Sequence, residues 1–92
     1  MKFEWDPKMA DMNLRIHGVS FDEAKTVFGD PLARIFDVEV HSFEEKRSAI
    51  FGHSETNRLL MVSFTEREND TIRLISARRA TPRERRLYDD QT

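Results

Sequence analysis

The sequence predicts an α+β fold: two N-terminal helices, a curved antiparallel sheet of about four to five strands, and a C-terminal helix. Helix-start signals stand near the two ends of the chain, at Asp6-Pro7, Ser20 and Thr81-Pro82. Between them, from Leu32 to Ala77, helical periodicity gives way to short alternating runs. Connections of a few residues separate these runs, which places successive strands antiparallel. With 92 residues, no repeats and no internal linker, residues 1–92 read as a single domain near the lower size limit for a hydrophobic core.

Phe3-Glu4-Trp5 alternates and is short, an edge strand that buries Phe3 and Trp5. Asp6 caps the first helix and Pro7 occupies its first turn; the helix should run to about His17 and stop at Gly18. Ala10, Asn13, Leu14 and His17 share one helix face, so two polar residues look inward. Either both bond to nearby backbone or His17 borders a site. Ser20 opens the second helix, with Glu23 at capping-box spacing and Val19 against Ala24 as a staple. Phe21, Ala24, Val27 and Phe28 supply its buried stripe, and Gly29-Asp30-Pro31 ends it.

Ile35 to Val38 reads as a strand, and the polar run Glu39 to Lys46, with His41 in it, as a loop. Arg47 to Gly52 and Arg58 to Glu66 are the next strands, joined by a turn in which Asn57 tolerates positive φ. After a turn at Arg67 to Asp70 comes an inner strand, with Ile72, Leu74 and Ser76 on one face and Arg73, Ile75 and Ala77 on the other. Thr81 and Glu84 form a capping box, with Pro82 at the first helical position of a helix that reaches Tyr88. Asp89 to Thr92 reads as a loose tail.

Composition excludes several classes. Without cysteine there is no disulfide or thiolate zinc site, and a reducing, cytoplasmic setting follows. No apolar run approaches membrane-spanning length. The net charge of −2 conceals an asymmetry: residues 1–45 carry ten acids and five bases, residues 46–92 seven acids and ten bases. Overall acidity argues against a general nucleic-acid coat, yet from Ile72 to Tyr88 six arginines face one carboxylate, Glu84. Eleven of the fifteen bases are Arg, whose planar fork suits phosphate or carboxylate.

Arg47, Arg58, Arg73 and Arg78 sit at strand starts, faces or ends, where convergence on one side of the sheet would make an anion-binding surface. Against that stands the ordinary fate of an arginine, a surface ion pair of little energetic consequence. Five groups are placed to move protons: His17, His41, His53, Glu84 and Tyr88, of which only histidine titrates near neutrality unaided. Glu84 is already accounted for by its capping box, and Tyr88 by burial of its ring. Metal-ligand spacing, a Gly-rich phosphate loop and a GxSxG elbow are all missing, so no metal or other cofactor is expected.

The order and spacing of many short matches resemble the BrnT family of toxins from type II toxin–antitoxin systems. They run from Phe3-Glu4-Trp5-Asp6-Pro7 through Asn13 and His17-Gly18-Val19-Ser20-Phe21-Asp22-Glu23-Ala24 to Val27-Phe28-Gly29-Asp30-Pro31 and His41-Ser42. They continue through Glu45, Arg47, Arg58-Leu59-Leu60, Phe64-Thr65-Glu66, Ile72-Arg73, Ile75-Ser76-Ala77-Arg78, Ala80-Thr81, Glu84-Arg85 and Tyr88. Two positions depart: Ile16 stands where the family usually carries Lys, and Asn57 where it often carries Gly.

The resemblance implies a RelE-like fold and a metal-independent ribonuclease that inhibits translation. It implies a BrnA-like antitoxin as partner, RNA as substrate, and contact with operator DNA only through the antitoxin. In such an enzyme the 2′-hydroxyl attacks the adjacent phosphate while basic side chains hold it. Carried onto this chain, His17, Arg73, Arg78, Glu84 and Tyr88 are the catalytic candidates, with Arg47 and Arg58 as RNA-binding residues. The same arginines would equally serve a non-catalytic module that binds an antitoxin segment and acts as co-repressor.

Overall fold

The computed structural model describes residues 1–38 and 46–90. The chain runs β1 Lys2–Glu4, α1 Pro7–His17, α2 Phe21–Ala24 with a 3-10 turn at Lys25–Gly29, β2 Arg34–Val38, β3 Arg47–His53, β4 Leu59–Arg67, β5 Thr71–Arg79 and α3 Pro82–Asp89. The expected loop around His41 lies outside the described residues, as do the last two residues of the expected tail. None of the described helices is long and apolar enough to cross a membrane.

Five strands form one sheet in the order β1-β5-β4-β3-β2. The last four pair antiparallel, as their short connections require, but β1 pairs parallel with β5. The sheet is therefore mixed, which corrects the expectation of an antiparallel sheet throughout. No hairpin joins β1 to β5, so turn geometry does not set its direction. What β1 gains at this edge is aromatic burial: Phe3 meets Phe28 edge-on at 5.2 Å, and Trp5, just beyond the strand, meets Phe21 at 5.8 Å.

The two N-terminal helices are unequal. In α1, the Asp6 carboxylate accepts from Lys8 N–H at 2.9 Å, and Gly18, at φ 69°, closes the helix by donating to Leu14 O. The second helix is a single α turn that tightens into the 3-10 segment. There the Thr26 hydroxyl donates to Glu23 O at 2.6 Å, and Asp30 N–H closes the end on Val27 O. On α1 the inward face is narrower than its spacing suggested. Asn13 is 6% exposed, whereas Leu14 is 52% exposed and His17 also faces solvent. Asn13 Nδ2 donates to Val19 O and Ala77 O at 2.9 and 2.8 Å, and its Oδ1 accepts from Ala77 N–H at 3.0 Å. One amide thus stitches α1 to β5 and to the start of α2.

The sheet is covered on both faces. Ile50 of β3 and Leu60, Val62 and Phe64 of β4 join Val19, Phe21, Ala24 and Val27 under α1 and α2. The intervening Phe51, Leu59 and Met61 point the other way, toward Tyr88 of α3. In β5 strict alternation fails. Ser63 pairs with Ser76 but Phe64 pairs with Leu74, so Ile75 has no partner across the ladder and forms a bulge. Ala77 consequently shares the α1/α2 core with Ile72 and Leu74 instead of lying opposite them. Arg78 is turned toward α3.

Removing the Asn13 amide would strand a buried N–H and two carbonyls. Asn13→Ala should therefore cost about 2–4 kcal/mol in chemical denaturation. Met12→Ala, one residue earlier on the exposed side, should cost less than about 0.5 kcal/mol.

Candidate functional site

The four arginines singled out from the sequence do not meet in one pocket. Arg58 immediately precedes β4 and turns to the α2 side of the sheet. Its Nε donates to Glu23 Oε2 at 2.8 Å, its Nη2 pairs with Glu23 Oε1, and the same Nη2 reaches Gly18 O at 3.1 Å. Arg78 faces α3 and forks onto Glu84, with Nη1–Oε1 at 2.8 Å and Nη2–Oε2 at 2.9 Å. Arg73 pairs with Glu4 of the neighbouring strand at 2.7 Å. Arg47 shares a cross-strand row with Thr65 and Arg73, is exposed, and has no partner among the described residues. Two strand spacings put Arg47 and Arg73 about 10 Å apart, and Arg78 lies about 15 Å further along β5. Each of Arg58, Arg73 and Arg78 therefore has its own carboxylate, and Arg58 lies across the sheet from the rest.

The proton-transfer candidates separate as well. His53, not among the catalytic candidates carried onto the chain, joins Tyr88 and Asp30 in a cluster beneath α3. Tyr88 O–H donates to Asp30 Oδ2 at 2.8 Å, His53 N–H donates to the same oxygen at 2.7 Å, and His53 Nδ1 lies 3.3 Å from the phenol oxygen. Burial and the Asp30 carboxylate push the Tyr88 phenol up to about 12. Burial pushes Asp30 upward, but backbone N–H groups of His53 and Leu32 and the Tyr88 hydroxyl outweigh it and leave its pKa lowered. Gly52 admits this cluster: a Cβ there would stand 2.9 Å from both Asp30 Oδ2 and Ala33 Cβ. The Arg78 fork, aided by the Thr81 backbone N–H, holds Glu84 at about 2. Arg78 holds Glu84 as a carboxylate, burial and Asp30 hold Tyr88 as a phenol, and their hydrogen bonds fasten α3 to the sheet. His17 ends α1 one residue before Gly18, whose carbonyl accepts from Arg58 Nη2, and is itself exposed.

Charge distinguishes two clefts formed by the described residues. A cleft of about 820 Å³ at the β4–β5 turn end is lined by Glu4, Asp37, Glu66 and Glu68 against Lys46 and Arg67, an arrangement that repels anions. The smaller, about 360 Å³, lies where β4 begins and β5 gives way to α3. Asn57, Arg58, Leu59, Arg79, Ala80 and Arg85 line it, with no acid among them. Arg79 and Arg85 are exposed and carry no side-chain hydrogen bond or ion pair among the described residues. Sequence reading passed over both. The available signal was the Arg78-Arg79 pair at the end of β5, where adjacent side chains must take opposite faces. Among the described residues no three His, Asp or Glu side chains gather as a metal site would need.

Glu23 and Glu84 both drop from 4.5 to about 2 on folding, chiefly through hydrogen bonds from Arg58 and Arg78. As pH falls below about 4.5 the unfolded chain takes up these protons first, so stability is complete above that pH and lost toward pH 2. Thermal unfolding followed by circular dichroism should show this fall. Glu84→Gln should lose about 1–3 kcal/mol at pH 7 and show a shallower decline below pH 4.5.

Comparison with known proteins agrees with this fold. A profile of the family described as "Ribonuclease toxin, BrnT, of type II toxin-antitoxin system" matches residues 5–84. No curated protein matches the chain. Among solved structures, the crystal structure of the Brucella abortus ribonuclease toxin BrnT superposes with a TM-score of 0.69 at 22% identity, covering 88% of this chain and 97% of that one. This chain belongs to the BrnT family of ribonuclease toxins of type II toxin–antitoxin systems.

Proposed function

We propose that this chain is an endoribonuclease that holds the scissile phosphate of RNA in the cleft between Arg58, Arg79 and Arg85, with His17, next in the chain to the Gly18 carbonyl that Arg58 binds, as the proton-transfer group. The observation that carries the reading is the charge of that cleft: three arginines, no acid in its lining, and two of the three without a side-chain partner among the described residues. A cleft lined by three arginines and no carboxylate presents a positive potential to an incoming anion. Arginines around a phosphate neutralise the charge that develops when the 2′-hydroxyl attacks it in line. As the bond from the 2′-oxygen to phosphorus forms, His17 takes the 2′-hydroxyl proton; the bond from phosphorus to the 5′-oxygen breaks and the departing oxygen takes a proton from water, steps that call on no metal.

Arg78, Glu84 and Tyr88 enter this proposal as the residues that fix α3 and hence the position of Arg85 on it. Arg73 is matched by Glu4, and Arg47 is a peripheral contact to the RNA backbone. We also read the layout as RelE-like, and the partner as a BrnA-like antitoxin that silences the protein by covering the cleft and brings the complex to operator DNA. A second reading draws on the carboxylates that match Arg58, Arg73 and Arg78: a non-catalytic module that binds the antitoxin through the unpaired arginines alone.

Purified protein without antitoxin should cleave RNA in EDTA and leave 2′,3′-cyclic phosphate ends. Arg79→Ala and Arg85→Ala should each lower kcat/KM by roughly 10- to 100-fold, and His17→Ala by about 100-fold. Arg73→Ala should change it by less than about threefold. Cleavage that survives both Arg79→Ala and Arg85→Ala removes the cleft from the mechanism; no cleavage by the folded wild type leaves the binding module.

A further inference from the structure

We propose that Glu23 is a positioning residue for the phosphate site, gripping one edge of the Arg58 guanidinium so that its Nη1 edge is presented to the cleft. The inference rests on the cleft being the phosphate site and goes beyond it by naming the residue that sets the angle of one of its cations.

The hydrogen-bond inventory of Arg58 carries the argument. Guanidinium has five N–H donors. Nε–H is used on Glu23 Oε2, and the two hydrogens of Nη2 on Glu23 Oε1 and Gly18 O. Nη1 makes no hydrogen bond among the described residues, so its two hydrogens are left over, and Arg58 lines the cleft. A side-on fork fixes the plane of the guanidinium, which a point charge such as Lys would not allow.

Glu23 is itself held from the other side. Its Oε2 accepts from the Ser54 hydroxyl at 2.7 Å and the Thr56 hydroxyl at 2.8 Å, both in the turn that precedes Arg58. Its side chain is 14% exposed. At the third position of α2 this carboxylate has the spacing to reach back and complete a capping box with Ser20. Only half of that box forms: Ser20 Oγ accepts from Glu23 N–H at 3.0 Å, while the carboxylate is turned across to Arg58. The helix therefore gives up one cap bond to hold an arginine.

The sign of the effect separates positioning from simple charge neutralisation. A carboxylate beside a phosphate-binding arginine lowers the positive potential of the cleft, so if Glu23 did no more than that, Glu23→Gln would bind RNA more tightly. If Glu23 aims Arg58, the same change frees the guanidinium to wander, and binding weakens despite the gain in positive charge.

The experiment is a double-mutant cycle on the full chain. It uses a fluorescent 2′-O-methyl oligoribonucleotide, which binds but is not cut, titrated across a salt series. Arg58→Ala should reduce the slope of log K against log salt by about 0.7, the loss of one phosphate contact to a single strand. Glu23→Gln should weaken binding roughly tenfold and flatten the slope in the same direction, an effect that a change in folded fraction does not produce. On the Arg58→Ala background Glu23→Gln should have no further effect beyond about twofold. Thr56→Val keeps every charge and removes one donor to Glu23; it should weaken binding by about two- to fivefold, which tests the idea should Glu23→Gln fold poorly. Equal or tighter binding by Glu23→Gln, or a loss that persists in full without Arg58, overturns the positioning role and leaves the cleft standing. An Arg58→Ala protein whose slope matches wild type overturns the phosphate contact at Arg58 itself.

Discussion

The bulge at Ile75 decides where the charge of this protein goes. β5 is an inner strand, flanked by β1 and β4, so each of its side chains belongs to one of two covered faces. One unpaired residue in the ladder reverses the assignment of everything after it. Ala77 enters the core under α1, where the Asn13 amide grips its backbone on both sides. Arg78 then must face α3, and Arg79, paired with Leu60, comes out at the edge beside Arg58. Without the bulge a charged residue would be driven at the α1/α2 core, and the Arg78–Glu84 fork would not form. The sheet accepts a broken ladder step because the alternative is an unpaired buried cation, which costs several kcal/mol.

Once the faces are set, the arginines sort into two kinds. Arg58, Arg73 and Arg78 each meet a carboxylate, and two of those pairs are shielded enough to hold Glu23 and Glu84 at about 2. Their role in the fold is to fasten an element: α2 to the β3–β4 turn, β1 to β5, and α3 to the sheet. Arg79 and Arg85 are left without such partners among the described residues. Both are exposed, so water and salt screen their mutual repulsion and the site can tolerate it. The larger cleft, at the opposite end of β4 and β5, carries four acids and is unsuited to phosphate, which makes charge rather than size the basis for choosing between them.

Much of the fold could be read from the sequence because local chemistry controls it. Asp6-Pro7, Gly18 and Thr81-Pro82-Arg83-Glu84 placed the ends of α1 and the start of α3, and Asn57 placed a left-handed turn residue. Three features were beyond local signals. The parallel pairing of β1 depends on an edge that exists only once β5 is in place. The bulge at Ile75 has no glycine to announce it. The fate of Glu23 is set by Arg58, thirty-five residues away, so its capping-box spacing pointed to the wrong partner. Of the residues proposed for the cleft, Arg58 and His17 were expected on the basis of type and position, whereas Arg79 and Arg85 were hidden within a run of arginines. Only the folded geometry shows which members of that run lack an acid.

In the proposed function, anion recognition belongs to Arg58, Arg79 and Arg85 of the small cleft and not to Arg73 and Arg78, whose carboxylate partners, Glu4 of β1 and Glu84 of α3, lie outside it. Arginine Nε–Hε correlations in nitrogen-15 NMR read this residue by residue. On titration with a 2′-O-methyl oligoribonucleotide, Arg79 and Arg85 should shift strongly, Arg58 should keep its protected Nε–Hε signal while its Nη1 protons shift, and Arg73 and Arg78 should stay in place. Strong shifts at Arg73 and Arg78 with Arg79 and Arg85 unmoved would contradict the account.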